Sequence, residues 1–211
     1  PHVPLLPAQK WLDLYDPEAL TLPANFRISP MERSINNQGV PGEHFYRDSK
    51  YTRNVGNLSA GPPRDRATMR RFLQAYYAVV SHLDHQIGTF VQQMQAAGLW
   101  ENTILIFLSD NGYHLGSHGL GNKITMHEES VRVPMFATGP GVARGKRSQS
   151  LVSSLDLYPT LLSLAGAEIP GGSMGHCLAP VFRDPESTVR QTVFSECVGV
   201  GGKPAEGHRM A

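Results

Sequence analysis

An α/β fold, with a mixed and largely parallel sheet flanked by helices, is what the sequence predicts. Three observations carry that expectation. Residues 66–97 repeat apolar side chains at helical spacing. Thr103 to Leu108, TILIFL, is a continuous β-branched and apolar run of the kind found in strands buried on both faces. Between and beyond them the order runs helix, buried strand, loop, strand, helix, strand, which suits helices packed on a sheet.

The chain begins with a Pro-rich extended entry, PHVPLLPAQ, followed by a short helical turn in KWLDLYDPEAL. Residues 21–64 show no sustained period and are broken by Pro23, Pro30, Pro41, Pro62 and Pro63, so they form a long loop, ordered or flexible. In the long helix, Met69, Phe72, Leu73, Tyr76, Val80, Leu83, Ile87, Phe90, Val91 and Met94 make the apolar stripe. Asp65 is its expected N-cap and Gly98 its stop. Val133 to Ala137 predicts a second strand, Ser154 to Leu164 a helix with Pro159 in its early turns, and Thr192 to Ser195 a short late strand.

Composition narrows the function. The 211 residues carry 19 Lys+Arg against 18 Asp+Glu, a net charge of +1, which gives no electrostatic reason for a nucleic-acid or anionic-membrane partner. No apolar run approaches the roughly 20 residues of a membrane span. Two cysteines, Cys177 and Cys197, form one bridge or none.

Ligands of open α/β sheets bind beyond the carboxyl ends of strands, so the stretch after TILIFL is where chemistry is expected. It reads Ser109-Asp110-Asn111-Gly112-Tyr113-His114-Leu115-Gly116-Ser117-His118-Gly119-Leu120-Gly121-Asn122-Lys123. Asp110 and Asn111 offer oxygen ligands suited to a hard cation, Ca2+ or Mg2+, with further ligands needed from elsewhere. Asp-Asn-Gly is also an ordinary turn. His114 and His118 stand four apart, but the interleaved glycines argue against a helix that would aim both at a zinc ion. Glu128, Glu129 and Arg132 read as a helix start or local salt bridge without a catalytic role.

The segment from Thr103 to Pro134, TILIFLSDNGYHLGSHGLGNKITMHEESVRVP, closely resembles the sulfatases of the alkaline phosphatase superfamily. Pro1-His2-Val3-Pro4 with Lys10-Trp11-Leu12-Asp13-Leu14-Tyr15, Ala75 to Ala78, Ser81 to Asp84 and Ser154 to Leu161 resemble other stretches of that family, in the same order. The resemblance implies an alkaline phosphatase/sulfatase-like fold, incomplete at both ends, with residues 1–211 as the middle-to-late portion of a catalytic domain. Within it 21–64 is the substrate-side loop, 66–97 the long helix, and 103–138 the metal-site strand, loop and next strand. It also implies that Asp110 and Asn111 ligate the divalent cation, usually calcium, and that Lys123 and His2 are catalytic. His2, Lys123 and His118 are the expected substrate-binding residues. His127 stands where the family often has tyrosine.

The activity implied is hydrolysis of a small-molecule or carbohydrate sulfate ester by a formylglycine nucleophile, which attacks sulfur and releases the alcohol. The C/S-x-P-S/A-R motif that carries formylglycine is not in this sequence; it is expected upstream, and the chain alone is expected to be inactive. Two alternatives stand beside this reading, a phosphodiesterase or phosphonate monoester hydrolase of the same superfamily and a non-catalytic module. The family is often exported, which makes a periplasmic or secreted location an expectation.

Overall fold

The computed structural model describes residues 5–26, 66–118, 123, 126–197 and 208–210. His2, the Asp65 cap and most of the 21–64 loop lie outside the described residues. Two compact units divide the chain, one of residues 1–96 with 111–132, the other of 97–110 with 133–211.

In the first unit a short helix α1 (Gln9–Leu12) and a single 3-10 turn (Pro17–Ala19) lie along the long helix α2 (Arg66–Ala96). The apolar stripe read from the sequence is used unevenly. Met69, Phe72, Leu73, Ala75 and Ala78 are buried with Leu5, Leu12 and Leu22, whereas Val80, Leu83 and Phe90 remain exposed. Burying side chains of this size stabilises by about 1.5–3 kcal/mol each, so the amino-terminal half of α2 anchors the unit. Polar groups fix the register of the entry segment. Gln74 Nε2 donates to the carbonyls of Leu12 (3.2 Å) and Tyr15 (2.8 Å), and Arg70 Nε donates to that of Leu20 (3.1 Å). The helix stops where Gly98, at φ +68°, takes a left-handed conformation that costs glycine nothing sterically.

In the second unit β1 (Leu105–Leu108) pairs antiparallel with β2 (Met135–Thr138), Leu105 opposite Thr138 and Leu108 opposite Met135. Phe107 and Phe136 stack across the pair, ring centres 4.9 Å apart. A helix α4 (Leu157–Leu164) follows a 3-10 turn at Ser154–Asp156, then come α5 (Ala179–Arg183), β3 (Ser195–Cys197) and β4 (His208–Met210), the last two antiparallel. The remaining helix, α3 (Glu128–Val131), belongs to the first unit.

The α/β class and the element order follow the sequence; strand direction does not. Both described strand pairs are antiparallel, where a largely parallel sheet was expected. The apolar run of β1 suggested burial on both faces, yet its residues are only half-buried. The late strand starts at Ser195, not Thr192. Cys177 is a free cysteine among the described residues.

Asp156 organises the second unit. It is completely buried, accepts from the backbone N–H of Ser153 and of His176 at 2.8 Å each, and pairs with the Arg190 guanidinium. Its own carbonyl accepts from Thr160 Oγ1, which in turn accepts from Leu178 N. One carboxylate thus ties the start of α4 to two later segments, and each charge is compensated as burial demands. No helix among the described residues is long and apolar enough to cross a membrane.

Candidate active site

The chain leaves β1 at Leu108 and passes through Ser109 into Asp110 and Asn111. Asp110 is exposed and Asn111 half-buried. Asn111 Nδ2 donates to the Gly112 carbonyl at 3.0 Å, which turns the amide oxygen the other way. Gly112 N donates to the carbonyl of Ser130 at 2.8 Å. A Cβ at position 112 would collide with the carbonyl of Glu129, so only glycine lets the turn after Asn111 lie this close to α3. The two oxygen donors fit a hard cation by their chemistry. Among the described residues no group of three or more His, Cys, Asp or Glu side chains is disposed to hold a metal.

After the turn the loop folds back on the first unit. Ser117 N donates to the His114 carbonyl (2.9 Å), and Ser117 bridges to Phe26 as a single strand-like rung. Leu115 and His118 both take positive φ, 49° and 58°, an uncommon conformation for residues with a Cβ. His118 is held there at both ends. Its backbone N–H donates to the Asn25 carbonyl (3.2 Å), and its ring Nε2 lies 3.2 and 3.3 Å from the two Glu129 carboxylate oxygens. Asn25 Nδ2 reaches Glu129 Oε1 at 3.3 Å.

Three imidazoles gather at this point. The His118 and His127 rings are 4.3 Å apart, His114 and His127 5.4 Å, and His114 and His118 6.1 Å. His114 is buried, and its pKa falls from the ordinary 6.5 to about 4. Burial is the main cause; His127 and His118 add to it and Glu129 opposes it. Burial also raises the Tyr113 phenol, with Tyr76 adding to the effect, so Tyr113 is a neutral wall of the loop.

Of the residues expected from sequence, the structure sets Asn111 and His118 in the first unit, His118 against Glu129 of α3. Lys123 is half-buried. The glycines do prevent a helix through His114 and His118, as expected, but the turn they permit still brings the two rings together. Asn25 and Glu129 are partners that the sequence reading missed. Glu128 and Arg132 do form the expected pair, at 3.7 Å. Glu129, one position along, faces inward; the period of α3 was the available signal, too short in four residues to read. Nothing in the sequence marks Asn25.

Comparison with known proteins adds a further observation. The sulfatase family model matches residues 23–167. The chain belongs to the sulfatase family. An arylsulfatase of Clostridium perfringens is 31% identical over 200 residues, 93% of this chain and 38% of the relative. An ulvan-active sulfatase of Formosa agariphila is 30% identical over 211 residues, 97% of this chain and 34% of the relative. A solved phosphonate monoester hydrolase of Silicibacter pomeroyi superposes with a TM-score of 0.75 at 25% identity, over 97% of this chain and 40% of that one. The chain therefore spans a little over a third of these relatives. The fold is that of the alkaline phosphatase-like hydrolases. Sulfatases generally use a divalent metal and a formylglycine nucleophile.

Proposed function

We propose that this chain contributes the charge-stabilising part of the active site of a sulfuric ester hydrolase, acting on a carbohydrate or other small sulfate ester. The observation that carries this reading is the Asp110-Asn111 turn at the end of β1, followed in the family-matching segment by His118 and Lys123. Residues 1–211 are read as the middle-to-late portion of the catalytic domain.

Asp110 and Asn111 would hold the divalent cation, calcium or magnesium, both of which take hard oxygen donors. Such a cation, when bound, polarises a sulfate group, and a formylglycine supplied from outside this chain would be the nucleophile. As the S–O bond breaks, negative charge grows on the bridging oxygen. The Lys123 ammonium is the group on this chain that meets that charge, and His2 supplies a proton to the departing alcohol. His118 binds the substrate.

The relatives' names favour sulfate esters, and the ulvan-active enzyme favours a carbohydrate. The test is hydrolysis of 4-nitrophenyl sulfate, a monosaccharide sulfate and a phosphonate monoester by the protein that holds this chain together with its nucleophile. Preference for the sulfate esters is expected, with strong loss in Asp110→Ala. Preference for the phosphonate would sink the sulfatase reading.

A further inference from the structure

Glu129 has no part in the mechanism above, yet its carboxylate is the group that His118 faces. His118 Nε2 lies 3.2 Å from Asn25 Nδ2 and 3.2 and 3.3 Å from the two Glu129 oxygens, and Asn25 Nδ2 lies 3.3 Å from Glu129 Oε1. Counting hydrogens decides who donates. An ionised carboxylate only accepts, and an amide nitrogen only donates. Glu129 is held below the usual carboxylate range: burial pushes it up, but the hydrogen bond to its own backbone N–H, the Asn25 amide and His118 together outweigh burial. Both neighbours therefore donate to Glu129, and the hydrogen sits on His118 Nε2. In the neutral ring the lone pair is then on Nδ1.

We propose that Glu129, supported by Asn25, is a positioning residue that fixes His118 as the Nε2–H tautomer and makes Nδ1 an acceptor for a hydroxyl of the substrate's alcohol part. The substrate half of this statement rests on the sulfatase reading. A lone pair repels the oxygens of a sulfate group and attracts an O–H. The loop would thus favour a polyhydroxylated alcohol, such as a sugar, over an aryl alcohol. The left-handed backbone of His118, tied to the Asn25 carbonyl, fixes the direction of the ring from its other end.

Nitrogen-15 NMR of the histidine rings in the full chain at pH 7.5 reads the tautomer directly, with His118→Gln assigning the signal. The neutral Nε2–H form is expected. Glu129→Gln retains an accepting oxygen and should retain that form. In Glu129→Ala the Asn25 amide becomes free to donate to Nε2, and the ring should switch to Nδ1–H. A wild-type ring carrying Nδ1–H, or protonated on both nitrogens, overturns the proposal. So does a folded Glu129→Ala that keeps Nε2–H. If that variant loses its dispersed spectrum, a change of tautomer in Glu129→Gln overturns the proposal and an unchanged one supports it.

The second readout, made on the protein that holds this chain together with its nucleophile, is the ratio of kcat/KM for a monosaccharide sulfate to that for 4-nitrophenyl sulfate. Glu129→Ala should lower the ratio about tenfold, and equal losses on both substrates would remove the specificity role. Failure of the wild-type protein on both substrates would reject the sulfatase reading, while the tautomer measurement still decides the positioning of His118.

Discussion

His114 carries its burial into a measurable dependence on pH. Its folded pKa lies near 4 against an ordinary 6.5, so the unfolded chain takes up a proton first as pH falls. The stabilisation is complete above about 6.5 and is lost progressively toward 4, at about 1.4 kcal/mol for each tenfold step in proton activity, or about 3 kcal/mol in all. Glu129, depressed in the folded state, adds a loss of the same sign below the ordinary carboxylate range. Urea denaturation at pH 7.5, 6 and 5 should show falling stability, and His114→Gln should flatten the slope even if it lowers the plateau. Lys123 is tested by kinetics. Lys123→Ala in the active protein should lower kcat by about 100-fold or more while weakening substrate binding less, because the charge it meets is greatest in the transition state. An unchanged kcat would remove it from the catalytic set.

The start of α4 shows what one buried carboxylate does for an element. Periodicity gave the helix over Ser154–Leu164, and Ser153 with Asp156 forms a reciprocal capping box there. The larger contribution of Asp156 is tertiary, through His176 N and the Arg190 guanidinium. Asp156→Ala leaves a largely buried guanidinium without its counter-charge and should cost about 3–5 kcal/mol. Replacing an ordinary cap residue costs about 1 kcal/mol. Thermal melts of Asp156→Ala beside Ser153→Ala separate the two roles: similar small losses would reduce Asp156 to a local cap.

The described surface of the second unit exposes several large apolar side chains. Leu155, Tyr158 and Leu161 on and before α4 are more than half exposed, and Phe136 on β2 is 50% exposed. Exposed groups of this kind promote association. The purified 211-residue chain is expected to self-associate with rising concentration in light scattering, and Leu161→Lys should reduce it; a strictly monomeric chain would count against that. It is also expected to show no turnover of 4-nitrophenyl sulfate with calcium added. Its sequence holds no C/S-x-P-S/A-R nucleophile motif. Turnover abolished by Asp110→Ala would show that a nucleophile within the chain had been overlooked.

By itself the sequence determined the α/β class, the long helix α2 within a residue of its end, β1, the helix at 154–164, and the Asp110-Asn111 turn. Each of these is written in a local pattern: a 3.6-residue repeat, an unbroken apolar run, or a short motif that resembles the sulfatases. Tertiary structure alone decided the strand directions and the burial of β1, because an apolar run marks side chains that favour burial, and not what covers them or which way the partner strand runs. It decided that only the first half of the α2 stripe is covered, since coverage depends on where residues 5–26 lie. It also decided that His118 answers to Glu129 and Asn25. Those partners stand 11 and 93 positions away, and no periodicity links residues that meet only when a loop closes over a helix.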